Sequence, residues 1–184
     1  MARSYGPRIG GRRAQRLALA TRLISRNGAG SAASRPSRSP ANNVDGGIVA
    51  YVTPAPDLVG GDPRGAAQVV RATLRGRTVA RRLVSRVDAG GPGAGSSGAP
   101  SLTAAGEWVF FHTAAANVAW DTLRGRDVDG VQDVAFFLQA NNARMLLARR
   151  GATSPAANPV TSPHGNYVVF ERGGHVWLNY IGAK

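Results

Sequence analysis

The stretch "GAPSLTAAGEWVFFHTAAANVAWDTLRG", Gly98–Gly125, sets an aromatic run between a Ser-rich lead-in and a loop rich in Ala, Asn and Asp. Met once, such a run is a strand of any β protein. Here the pattern recurs. "GGIVAYVT" (Gly46–Thr53), "GEWVFFHT" (Gly106–Thr113) and "GNYVVFER" (Gly165–Arg172) share one plan: a Gly that opens a turn, a small or polar residue, then a β-branched and aromatic run. Their first glycines stand 60 and then 59 residues apart. A second register keeps the period, with "RLISR" (Arg22–Arg26) and "RLVSR" (Arg82–Arg86) 60 apart and "LLARR" (Leu146–Arg150) following at a similar interval. Two separate segments holding one period mark a repeat architecture.

Each copy reads as four short strands. The lead-in, "PSLT" (Pro100–Thr103) or "NPVT" (Asn158–Thr161), is the first, and the aromatic run is the second. The third follows a polar loop: "QVVRAT" (Gln68–Thr73), "DVAFFL" (Asp133–Leu138) and "HVWLNY" (His175–Tyr180). The fourth comes after a tight turn, "RGRT" (Arg75–Thr78) or "ANNA" (Ala140–Ala143), and carries the "RLVSR" signature. Gly and Asn at those turns suit the positive φ that hairpins need. Trp108, Val109, Phe110 and Phe111 are bulky at successive positions, so the strand is covered on both faces. Four-stranded antiparallel sheets stacked face to face, as in a β-propeller, meet that demand. A two-sheet sandwich would open one face of every strand and give cleaner alternation. Helical repeats are disfavoured by 24 Gly and 11 Pro.

The expected fold is therefore all-β, built of propeller blades. One fourth-type strand at the N-terminus, two complete sets and three C-terminal strands make about three blade-equivalents. The expected boundaries are a basic segment over 1–14, a closing outer strand and linker over 15–34, blades over 35–98 and 99–157, and a partial blade over 158–184. The Gly-rich runs Val87–Pro100, Arg26–Pro36 and Arg150–Asn158 are blade-to-blade connections. Closed rings need at least ~4 blades, so the sheets form an incomplete ring. Such an arc would leave two large apolar sheet faces in water, which soluble monomers avoid. A piece of a longer propeller, or two copies completing one ring, would resolve this.

"APSLTAAGEWVFFHTAAANVAWD…DVDGVQDVAFF" resembles the repeat of the TolB-like (WD40-like repeat) β-propeller family, in which a P-S-x-S-x-D-G-x-x-V-A-F core precedes a loop and a D-x-N-G-x-x-D-V-F strand start. "NPVTSPHGNYVVFERGGHVWLNY" is similar, and "SPANNVDGGIVAYVTPAPDLVGGDPRGAAQVV" matches more loosely. The likeness covers about residues 15–181. The family's Asp before the Gly is Ala105 in the second copy and His164 in the third, so no general role attaches to it here. The resemblance implies a non-enzymatic module for protein–protein interaction in the cell envelope or secreted. The alternative it admits is a propeller segment of a larger hydrolase or peptidase.

Catalysis finds little support in the residues. There is no G-x-S-x-G elbow, H-E-x-x-H or cysteine, and the histidines are His112, His164 and His175. The nearest approach to a metal loop is "RDVDGVQD", where Asp127, Asp129 and Asp133 surround Gly130 as oxygen ligands of Ca²⁺ would. The first copy keeps only Asp62 of those acids and places Gln68 opposite Asp133, and no Glu follows at EF-hand distance. A turn using Asp for local backbone bonds explains the pattern without metal, so no cofactor is expected.

The formal charge is +13, of 23 Lys and Arg only Lys184 is lysine, and nine Arg precede the first acid, Asp45. A GC-rich genome explains that bias, as does a polyanion partner. The densest run, Arg64–Arg86, includes Arg71, Arg75, Arg77, Arg81 and Arg82, with no acid inside it. On third and fourth strands these are expected at a solvated rim, able to hold an acidic protein or polyanion or simply to blunt the edge. Nucleic acid is the less favoured partner, since no aromatic stacking pattern accompanies the Arg. No apolar run approaches the ~20 residues of a membrane span. Arg12–Arg13 before "LALATRLI" loosely resembles a twin-arginine signal. The run is short, interrupted by Arg22, and lacks a small-residue cleavage site, so no export signal is read.

Overall fold

The computed structural model describes residues 21–59, 65–87, 91–118, 120–121, 125–126, 130–147 and 153–182. Three sheets follow one another along the chain. The first has the order β1 (Arg38–Asn42), β2 (Ile48–Thr53), β3 (Gln68–Arg75), β4 (Thr78–Leu83), with a one-turn helix α1 (Pro56–Val59) between β2 and β3. The second holds β5 (Ser97–Leu102), β6 (Trp108–Thr113), β9 (Asp133–Leu138) and β10 (Ala143–Leu146), extended by the short strands β7 (Trp120–Asp121) and β8 (Gly125–Arg126). The third holds β11 (Ala156–Thr161), β12 (Tyr167–Arg172) and β13 (His175–Tyr180). The fold is all-β, an incomplete ring of three blade-like sheets.

The period seen in the sequence is a period of backbone geometry. Gly46, Gly106 and Gly165 all adopt the left-handed conformation, with φ of 71°, 71° and 78°. Each turn closes alike: the glycine amide donates to the carbonyl of Asn43, Thr103 or Ser162 at 3.1, 2.9 and 2.9 Å. The side-chain oxygens of Asn43, Thr103 and Ser162 accept from the amides of Ile48, Trp108 and Tyr167 at 2.8, 3.2 and 3.1 Å. These groups satisfy the first amide of the inner strand in each copy, whether the residue before the glycine is Asp45, Ala105 or His164. Each first strand also carries a bulge, after Arg38, Gly98 and Ala157, at a non-glycine residue with positive φ: Ser39, Ala99 and Asn158. A bulge twists and re-aims a strand, and three at one repeat position give the sheets a common curvature.

The sheets stack through apolar faces. Ala50, Val52, Val69 and Val84 of the first meet Val109, Phe111, Ala135 and Phe137 of the second. On the second sheet's other face, Phe110 and Phe136 pack with Trp108 against Val168 of the third, and Val134 packs with Ala156 and Phe170. The bulky successive residues of β6 thus serve two interfaces. Trp108 stacks on Phe136 with ring centroids 5.4 Å apart. Backbone bonds stitch the turns together, from Val44 N to Ala104 O at 3.1 Å and from Ala104 N to Pro163 O at 2.7 Å.

Three expectations change. The basic segment 1–14 and residues 15–20 of the expected closing strand lie outside the described residues; among those described, "RLISR" forms no strand over 22–26, where an isolated bridge, Arg26 to Ala32, is present, matching Arg86 to Pro92 sixty residues on. The cause is register: of "RLVSR" only Arg82 and Leu83 belong to β4, so the repeated motif mostly marks the loop after the strand. The second sheet has six strands instead of four, because β7 pairs in parallel with β10 at Trp120 and Met145 and covers an otherwise open edge. Finally, one end of the stack is closed instead of both lying open. Ile24 and Leu58 pack on Tyr51, Val70, Ala72 and Leu83 of the first sheet's outer face. Arg81 donates to Ile24 O at 3.0 Å, and Arg26 to Arg77 O at 2.8 Å, holding that segment down.

Candidate functional site

Of the acids considered for calcium, Asp127 and Asp129 lie outside the described residues. Asp133 starts β9 and is buried, and its Oδ1 accepts from Arg172 Nη2 at 2.8 Å. Its register partner is Thr113, as Thr53 is the partner of Gln68, so Asp133 and Gln68 hold equivalent places. Both tie their strand to a later part of the chain: Gln68 accepts from Ser85 Oγ at 2.7 Å, and Asp133 reaches forward to the third sheet. Arg172 also lies over the Phe170 ring, its Cζ 5.8 Å from the centroid. The carboxylate therefore anchors sheet to sheet. Among the described residues no three metal-ligating side chains cluster.

The arginines divide. Arg75 and Arg77 are exposed at the β3–β4 turn. Arg71 is buried, facing Ala50 and Arg82 in register, and so points between the first two sheets instead of onto a solvated rim. It donates from Nε to Gly106 O at 3.1 Å and from Nη1 to Thr73 Oγ1 at 2.9 Å. Burial, then the nearby Arg82 charge, lowers its affinity for its proton. Arg82 shows the same direction, from burial and Arg86. Arg82 and Arg144 each lie 5.3 Å from the Phe137 centroid and donate to Asn142 Oδ1 at 2.6 and 3.1 Å. Arg81 is half-buried beside Tyr51, whose hydroxyl burial pushes up in pKa against the pull of Arg81. Arg71 and Arg82 thus hold the first sheet to the second, and Arg81 holds the Ile24 segment to the first sheet's outer face. Charge counting could not show this, because sidedness follows from register.

His112 sits on β6 with a buried Nδ1 that has no hydrogen-bond partner, and burial lowers its pKa, keeping the ring neutral. Gly98 lies opposite it; a Cβ there would come within 2.7 Å of His112 Nε2. His164 and His175 are exposed, at the turn before β12 and the start of β13. A cleft of about 360 Å³ opens beside the β12–β13 hairpin, lined by Pro155, Ala157, Glu171, Arg172, His175 and Val176. Its one cation, Arg172, is already committed to Asp133.

Of the two open apolar sheet faces expected of an arc, one remains, on the third sheet. β11, β12 and β13 align Val160, Val169 and Leu178 in one cross-strand row, with Tyr167 opposite Tyr180 and Glu171 opposite Val176. The two tyrosine rings lie 5.2 Å apart. Val160 is 64%, Leu178 62% and Val176 74% exposed. Glu171 is the one charge in these rows. Register places this face where the second sheet carries Trp108, Phe110, Val134 and Phe136, which the third sheet covers. Alternation along "YVVFER" was the available signal: Val168 and Phe170 are buried, Tyr167 and Val169 are not.

No protein-family model matches the chain, and no curated protein matches it. Among solved structures the chain is similar to TolB from Acinetobacter baumannii, at 16% identity and a TM-score of 0.46. The likeness covers 78% of this chain and 29% of that one, so the chain spans under a third of that structure's length. Among the described residues no helix is long and apolar enough to cross a membrane.

Proposed function

We propose that the chain is a non-enzymatic, TolB-like propeller module for protein–protein interaction, acting by presenting a rigid apolar sheet to another protein with no bond made or broken. The single observation that carries this reading is the exposed Val160–Val169–Leu178 row; Phe110 and Phe136, which hold the places of Val169 and Leu178 in the second sheet, are buried. A contiguous apolar patch rimmed by polar groups is characteristic of a contact surface. Rigidity suits the task, since an ordered sheet gives up little entropy on docking. The repeat motif's family resemblance points the same way.

The test is site-specific photocrosslinking. A photoreactive residue at Leu178 is expected to capture a protein where one at Val44, exposed on a turn of the first sheet, captures none. Equal yields at the two positions would overturn the reading.

A further inference from the structure

We infer that the Val160–Val169–Leu178 face is the contact of a two-fold dimer, in which the third sheets of two copies lie face to face. The inference rests on the interaction reading above and names its partner. Among the described residues the large exposed apolar side chains concentrate on this sheet: Val160, Tyr167, Val169, Val176, Leu178 and Tyr180 share one face. The far end of the stack offers no equivalent surface, because Ile24 and Leu58 already cover Tyr51, Val70 and Leu83. A ring of two copies would need that covered end to receive this face. Among the described residues the extended apolar face that a second copy presents is this same one, which makes the contact isologous.

Charge permits it. The chain carries +13, yet this face holds no cation and a single acid, Glu171, at the hairpin end. A two-fold axis running along the Val160–Val169–Leu178 row, through Val169, sets each Glu171 over the tyrosine end of the other copy, away from its twin. Size sets the strength. Three strands of six residues span roughly 20 Å by roughly 14 Å, below the about 800 Å² per partner of a standard interface. Association is thus expected to be weak and reversible, half-complete at about 1–100 µM.

Sedimentation velocity of the whole chain from about 1 to about 200 µM tests this. A concentration-dependent dimer is expected, lost in Leu178→Glu and in Val160→Glu with the circular dichroism of the monomer kept. Geometry is tested by cross-linking, because the chain has no cysteine. Val169→Cys in a glutathione buffer is expected to give a disulfide-linked dimer, and Val44→Cys none. A monomer at about 200 µM, a dimer indifferent to both glutamates, or a dimer that Val169→Cys does not link would each overturn the two-fold pairing. A monomer that still photocrosslinks to a different protein through Leu178 would overturn this inference alone and leave the interaction reading standing.

Discussion

The second and third sheets carry the same face in different surroundings. Phe110 opposite Phe136 and Val134 opposite His112 repeat, one copy later, as Val169 opposite Leu178 and Val176 opposite Glu171. In the second sheet Phe110 and Val134 are fully buried; in the third Val176 is 74% exposed. Both copies have apolar residues at three of these four places, His112 and Glu171 being the exception, so exposure is decided by what stacks on the face and not by the strand itself. A blade's core is half its own and half its neighbour's, which is the logic of repeat arrays.

Substitution at equivalent places should expose that difference. The largest contrast is Phe110→Ala against Val169→Ala. The first opens a cavity between two sheets and should cost about 3–5 kcal/mol in urea unfolding. The second side chain is already 38% exposed and leaves no enclosed cavity, so its loss should cost about 1 kcal/mol or less. Similar losses would mean that the third sheet's face is covered in solution. Next is the tie between the sheets. Asp133→Ala leaves Arg172 with an uncompensated buried charge, and about 3 kcal/mol should be lost. Replacing both, as Asp133→Leu with Arg172→Met, should restore much of it; if the pair change were as costly as the single one, packing and not charge would be the cause.

Backbone strain gives a smaller effect. Gly46→Ala and Gly106→Ala each force alanine into the left-handed region, at about 1–2 kcal/mol. At Gly106 the new Cβ would also meet Ile48 Cδ1 at 2.7 Å, whereas Gly46 faces open space. Gly106→Ala should thus lower the melting temperature more than Gly46→Ala. The smallest effect concerns pH. Burial depresses the pKa of His112 in the folded chain, so the unfolded chain takes up this proton first. Stability contributed by the neutral ring is complete above pH about 6.5 and declines as pH falls below that. His112→Gln should remove this part of the slope between pH 7 and pH 5; an unchanged slope would show that His112 is not its source.

Much of the scaffold was legible in the chain itself. The glycines of "GGIVAYVT", "GEWVFFHT" and "GNYVVFER" announce positive φ, and the run at Trp108–Phe111 announces burial on both faces. What stayed hidden depends on sidedness or on chain returning from elsewhere. Arg71 and Arg82 looked like rim charges until register placed both between sheets. Closure of the first sheet brings Ile24 onto residues 27 to 59 positions away and Leu58 onto residues 7 to 25 positions away, with no motif to mark either. "RLISR" misled because a repeated motif fixes a place in the repeat and not the conformation there. The open face left a trace in the alternation of β12, which becomes informative only once the neighbouring strands are set beside it.

The most direct test compares Val134→Cys with Val176→Cys, two conservative changes at the same place in successive copies of a chain that has no other thiol. Reaction with a thiol reagent is followed in native buffer at low micromolar concentration. Stacked repeats with one uncovered end predict that Cys at 176 reacts nearly as fast as in the unfolded chain, while Cys at 134 is slowed by about a hundredfold or more, as only opening exposes it. Comparable rates at the two positions would contradict the account.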